Sequence, residues 1–148
     1  MNVRRGVLWD SSAILALLDA DDADHERAVA MAGQIASEKR PSFITNYIEV
    51  EAHALLLRKL GRTLAREWLL TGGLPVIRAL PEEEERAREI VARHSDKDWS
   101  LCDAISFLRH QALQAVSLHR GDRVREVGVQ FRRLADRLSE FRQNLCLQ

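Results

Sequence analysis

Three acids stand where strand and helix signals meet, and each has two readings. In "GVLWDSSAILALL" a short apolar run ends on Asp10, which places a carboxylate at the rim of a sheet. Such a group either caps the helix that follows, worth about 1 kcal/mol, or serves as a ligand in a cleft. Ser11 and Ser12 can cap the same helix, which leaves Asp10 available for the second role. In "TNYIEVEAHALLL" Glu49 and Glu51 fall in the first turns of a helix, where the dipole favours negative charge. Glu51 shares a face with Ala54 and Leu55 and is expected to point back over the sheet rim toward Asp10, with Glu49 the more solvated. In "DKDWSLCDAISF" Asp103 follows Ser100 at capping-box spacing, yet Ala104, Phe107 and Leu108 mark a buried stripe beside it. A half-buried acid needs a partner, so Asp103 also qualifies for a shared site. Phosphoaspartyl chemistry uses a strand-end aspartate too, but usually with a second one two residues on, where this chain has Ser12.

The remaining charges read as ordinary. The acids of "PEEEERAR" follow a proline at a helix start, and Asp19, Asp21, Asp22 and Asp24 read as loop and cap residues, as do Asp96 and Asp98. His25, His53, His94, His110 and His119 show no zinc-site spacing. The two cysteines, Cys102 and Cys146, make no disulfide framework.

The elements that must position the three acids are legible from periodicity and punctuation. "GVLW", "SFIT", "LPVIRAL" and "QAVSL" read as strands, and "VGVQF" as a fifth strand or an edge. Helices are expected from Ser11, over "HERAVAMAGQIASEK" up to the break at Pro41, over "NYIEVEAHALLLRKLG" with Gly61 as C-cap, and over "RTLAREWLLTGG". Three more follow: "PEEEERAREIVARH", "SLCDAISFLRHQAL" and a closing "RRLADRLSEFRQNLCL". Strands alternating with helices imply right-handed crossovers and a mostly parallel sheet of four to five strands, covered on both faces. Ligands of such sheets sit outside the carboxyl ends of the strands, where Asp10 falls. The expected fold class is therefore α/β.

Length and composition fit this. The 148 residues suit a single domain, 1–148, with a C-terminal helix from about 132. Hydrophobic residues make up 46% and charged ones 30%, the balance of a soluble globular protein. No apolar run reaches membrane-spanning length, and the N-terminus lacks a signal-peptide pattern, so no membrane association and a cytoplasmic location are expected. Basic and acidic residues balance at 22 each, which argues against a non-specific nucleic-acid binder. Local arginine patches such as Arg123, Arg125, Arg132 and Arg133 still offer phosphate contacts.

In order, an aspartate ending the first strand, a glutamate early in the helix after the second, and an aspartate early in a later helix resemble the PIN-domain family. Within it the chain is similar to the VapC-like ribonuclease toxins of toxin–antitoxin pairs. The residues that carry the likeness are "VLWDSSAILALLDADDADHERA", "ITNYIEVEAHALLLRKLG" and "SDKDWSLCDAISF". The resemblance implies a three-layer α/β/α fold and a metal-dependent endoribonuclease. It puts Asp10, Glu51 and Asp103 at the catalytic positions, with Asp10 and Asp103 as ligands of Mg²⁺ or Mn²⁺. The family's further acid follows the last inner strand. Here Ser117 matches that segment, but His119 occupies the expected acidic position and Asp122 lies three residues on. Either Asp122 enters the site, or His119 substitutes, or catalysis is weakened.

Ser11, Ser117, Arg120 and Arg123 are the residues expected to bind substrate. Trp9 and Trp99, which flank the acids, read as core residues before base-stacking ones. The resemblance further implies an RNA substrate, a cognate antitoxin and a homodimer, with Leu56, Leu60 and Trp68 as part of a groove or dimer face. The alternatives are a PIN-fold RNA- or protein-binding module without turnover, and a house-keeping PIN nuclease with no antitoxin.

Overall fold

The computed structural model describes residues 6–71, 74–113 and 116–118. The chain begins with a short strand, β1 (Val7–Trp9), followed by helices α1 (Ser11–Leu18) and α2 (His25–Ser37). Strand β2 (Ser42–Thr45) leads directly into α3 (Asn46–Leu60) and α4 (Arg62–Thr71). Strand β3 (Val76–Ile77) precedes α5 (Pro81–Arg93) and α6 (Leu101–Leu113), and β4 (Val116–Leu118) is the last described element. The expected fifth strand "VGVQF" and the closing helix lie outside the described residues.

The four strands form one sheet in the order β3-β2-β1-β4, and every described pairing is parallel. Every residue of β1 and β2 is buried. Because successive side chains point to opposite faces, this requires helices on both sides of the sheet. That is the α/β/α arrangement the sequence implies. The chain steps outward from β1 through β2 to β3, then returns to place β4 on the other side of β1. The strand order therefore reverses between β1 and β4, and a crevice opens there at the carboxyl ends.

Local signals set the boundaries. Thr45 Oγ1 accepts a hydrogen bond from Ile48 N at 3.1 Å and starts α3 immediately after β2. Gly61 ends that helix with φ of 88°, in the left-handed region that glycine tolerates. Asn46 Oδ1 accepts from Ala79 N at 2.8 Å, tying the chain after β3 to the head of α3.

Two hydrophobic clusters hold the molecule. The larger joins β1, α1, α2, β2, α3 and α4 around Trp9, Ile35, Ile44, Ile48 and Leu56. The smaller joins α5 and α6 through Ala87, Ala104, Ile105 and Leu108. Tyr47 of α3 packs on the smaller cluster and Cys102 of α6 on the larger. Glu83 and Arg109 add an ion pair between α5 and α6, with Arg109 Nε 2.9 Å from Glu83 Oε2 and both side chains about seven-eighths buried (12% and 13% exposed). The acidic run at the start of α5 thus does more than favour a helix start. Glu83 also accepts from Leu80 N at 2.8 Å, and Glu84 accepts from the Tyr47 hydroxyl at 2.9 Å.

Several packing expectations change. Trp9 is fully buried, as expected, and its indole N–H donates to Ser42 Oγ at 3.3 Å. Trp99 is not a core residue: it is 45% exposed. The buried stripe of α6 runs through Ala104, Ile105 and Leu108, while Phe107 is 52% exposed. Leu56 and Trp68 are buried and Leu60 packs against the core, so they form no open groove. The exposed apolar side chains of α3 and α4 are Val50, Leu57, Leu69 and Leu70.

Candidate active site

Asp10 caps the helix that leaves β1, Glu51 lies in the second turn of the helix that leaves β2, and Asp103 lies in the first turn of α6. Asp10 is the N-cap of α1: its Oδ1 accepts from Ser12 N at 3.2 Å and its Oδ2 from Ser12 Oγ at 2.9 Å. The capping role thus falls to Asp10 itself and not to the serines, because Ser11 is already the first helical residue. The cap leaves the carboxylate at the sheet rim, since the same group lines a cleft of about 330 Å³.

Asp103 also fills its local role. It accepts from both the backbone N and the Oγ of Ser100 at 2.8 Å, and its own N–H donates to Ser100 Oγ at 3.1 Å. This is the reciprocal capping box that the spacing predicts. Asp103 is exposed, not half-buried, and it faces Asp10 across the cleft. Leu8, Trp9, Ile48 and Cys102 form much of the remaining wall.

Glu51 is exposed while Glu49 is partly buried, the reverse of the expected order. The buried line of α3 is Ile48, Ala52 and Leu56, and Ala54 lies outside it. Glu51 stands at the edge of that line, one turn beyond Ile48, and reaches toward α1 as the sequence suggests. Ser11 Oγ donates to Glu51 Oε2 across forty positions of sequence and lies 3.2 Å from Asp10 Oδ1. A serine hydroxyl carries one proton, so it serves one of these two carboxylates at a time. Cys102 Sγ donates to the same Glu51 oxygen at 3.6 Å.

The thiol of Cys102 registers how closely the acids gather. Burial pushes its pKa up to about 12, and the charge of Glu51, the hydrogen bond to Glu51, and the charges of Asp103 and Asp10 push in the same direction. Residues from α1, α3 and α6 thus act on one sulfur. Sequence reasoning had no reason to single out Cys102, because its role is spatial and its spacing matches no metal or redox motif.

Among the described residues, no three His, Cys, Asp or Glu side chains are arranged to hold one metal ion. What they provide is two carboxylates, Asp10 and Asp103, facing one cleft, with Glu51 linked to Asp10 through Ser11. Hard oxygen donors in that number suit Mg²⁺, which keeps several waters and is bound through one or two carboxylates together with substrate phosphate. Ser117 lies on β4, in register with Leu8. Asp122, His119, Arg120 and Arg123 lie outside the described residues.

A parallel sheet with covered faces and acids gathered at its switch point defines a PIN-like α/β/α protein. No family model matches the sequence, and no curated relative does. Among solved structures the chain is similar to the crystal structure of Mycobacterium tuberculosis VapC20, a Sarcin-Ricin loop cleaving toxin. The TM-score is 0.64 at 26% identity, over 74% of this chain and 85% of that one. The chain is thus similar in fold and sequence to a VapC-type PIN-domain toxin.

Proposed function

We propose that the protein is an RNA-cleaving toxin of a toxin–antitoxin pair, a divalent-metal-dependent endoribonuclease. The observation that supports this best is the pair Asp10 and Asp103 lining one cleft, with Glu51 linked to Asp10 through Ser11, in a fold shared with a solved RNA-cleaving toxin. Asp10 and Asp103 are the residues that would hold Mg²⁺ or Mn²⁺ directly. Such an ion would supply activation of a water for in-line attack and stabilisation of the leaving oxygen of a phosphodiester. Ser11 fixes Glu51 beside Asp10, so that Glu51 orients or accepts a proton from the attacking water. Asp122 is the candidate fourth acid, and Ser117, Arg120 and Arg123 are candidate contacts to the RNA backbone.

The partners in this reading are RNA, a cognate antitoxin and a second copy of the chain. No described helix is long and apolar enough to cross a membrane, and the place of action proposed is the cytoplasm, in one domain spanning residues 1–148.

The test is cleavage of purified RNA with Mg²⁺ or Mn²⁺. Wild-type protein cleaves, chelation abolishes cleavage, and Asp10→Asn is inactive. Cleavage that survives chelation or Asp10→Asn overturns the proposal.

A further inference from the structure

A second cavity, of about 390 Å³, adjoins the acidic cleft between α5 and α6. Its lining is Ile90, His94, Trp99, Asp103, Ala104 and Phe107. Asp103 and Phe107 line the acidic cleft as well, so the two spaces share a wall. Its aromatic groups, Trp99 and Phe107, are half exposed, although the helix pattern would place Phe107 in the core. Leaving two large aromatic surfaces exposed in one cavity forgoes their burial free energy.

The indole is also held in place. His94 stands beside it with ring centroids 5.0 Å apart and planes inclined at 46°. That imidazole is tied to the end of α5, with Nδ1 2.8 Å from the carbonyl of Ile90. Trp99 is therefore a positioned platform in a cavity of small-molecule size.

We propose that this cavity is a base-binding subsite, in which an unpaired nucleobase of the RNA stacks on Trp99 and Phe107 beside the phosphate held in the acidic cleft. The inference rests on the ribonuclease reading and adds how the substrate is recognised. The shared wall sets the cavity next to the reacting phosphate, and a base extruded from a single strand carries the flat face that aromatic side chains stack on. Such stacking accepts any base, and purines cover more of the platform. A double-stranded substrate keeps its bases paired and cannot fill the cavity.

The experiment uses the full chain and single-stranded oligoribonucleotides of mixed sequence. The chain has three tryptophans, and Trp9 and Trp68 are buried, so Trp99 supplies the solvent-accessible emission. In EDTA, titration with oligonucleotide quenches that emission to saturation, and Trp99→Phe removes the quench. With Mg²⁺, Trp99→Ala and Phe107→Leu each lower kcat/KM by roughly 10-fold or more. The loss falls mainly in KM, and Trp99→Phe recovers most of it. An abasic nucleotide beside the scissile bond costs wild type a similar factor and costs Trp99→Ala little more.

Cleavage with unchanged kcat/KM in Trp99→Ala overturns the subsite and leaves the ribonuclease reading intact. Saturable quenching without cleavage under any divalent ion sustains base binding and overturns the ribonuclease reading. If Trp99→Ala cleaves normally but escapes inhibition by the antitoxin, the cavity holds a peptide anchor and the subsite is overturned.

Discussion

Ser11 stands between two carboxylates that the chain order keeps far apart, donating to Glu51 and lying 3.2 Å from Asp10. The residue is 7% exposed, so its hydroxyl is fixed by its surroundings. Removing it leaves Glu51 without this donor and Asp10 without its spacer. Ser11→Ala is expected to lower the cleavage rate by roughly 10- to 100-fold, the range typical of a group that orients a metal ligand. The dissociation constant for Mn²⁺ should rise with it. Titration of the metal against cleavage checks both.

Asp10 has a structural duty as the cap of α1 and, in the proposed function, a chemical one, and different substitutions separate them. Asparagine retains a side-chain oxygen able to cap α1, so Asp10→Asn should keep the wild-type melting temperature within a few degrees. Its cleavage rate should nonetheless fall by more than the roughly 100-fold expected of a residue acting through a ligand. Asp10→Ala should lose cleavage and about 1 kcal/mol of stability as well. Denaturant unfolding of both variants, beside the cleavage assay, tests the separation.

Cys102 is expected to be a slow thiol. With its pKa pushed up to about 12, it stays protonated at neutral pH, and only the thiolate reacts. In a Cys146→Ser background and metal-free buffer, alkylation should be slow at pH 8. Glu51→Gln, by removing the nearest negative charge, should accelerate it. The same shift has a sign for stability. The folded state holds the proton more tightly than the unfolded chain, so this contribution is present below about pH 9 and is lost as pH rises toward 12. Comparison of unfolding midpoints with Cys102→Ser over that window isolates it.

The Glu83–Arg109 ion pair joins α5 to α6 away from the cleft. Arg109 also donates to the carbonyl of Arg78. Breaking a largely buried pair from one side leaves the other charge uncompensated, at a cost of about 3 kcal/mol. Arg109→Ala should therefore lower Tm by roughly 6–12 °C. A double-mutant cycle with Glu83→Gln, which keeps an acceptor for Leu80 N–H, should show strong coupling between the two positions.

Much of the architecture was legible because its boundaries are chemical. Pro41, Thr45, Gly61, Pro81 and Ser100 mark helix ends or strand starts by backbone chemistry that acts locally. The strand-end position of Asp10 and the capping spacing of Asp103 could be read for the same reason. Exposure was harder. On α6 a rotation of one or two residues in the assumed stripe exchanges Phe107 for Ile105, and the pattern "ISFL" fits either. On α3 the same ambiguity exchanges Glu49 for Glu51. The Glu83–Arg109 pair and the place of Cys102 depend on how α5 and α6 meet the rest of the molecule, which no local signal encodes.

The two hydrophobic clusters have a consequence for the cleft between Asp10 and Asp103. Asp10 and Glu51 are anchored on the larger cluster, whereas Asp103 rides on the α5–α6 pair with its own small core. β1 is laced to a neighbour on each side, so the strand leading to Asp10 is held firmly. The spacing between Asp10 and Asp103 is therefore set by how the α5–α6 pair seats on the larger cluster, where Cys102 and Tyr47 cross from one core to the other.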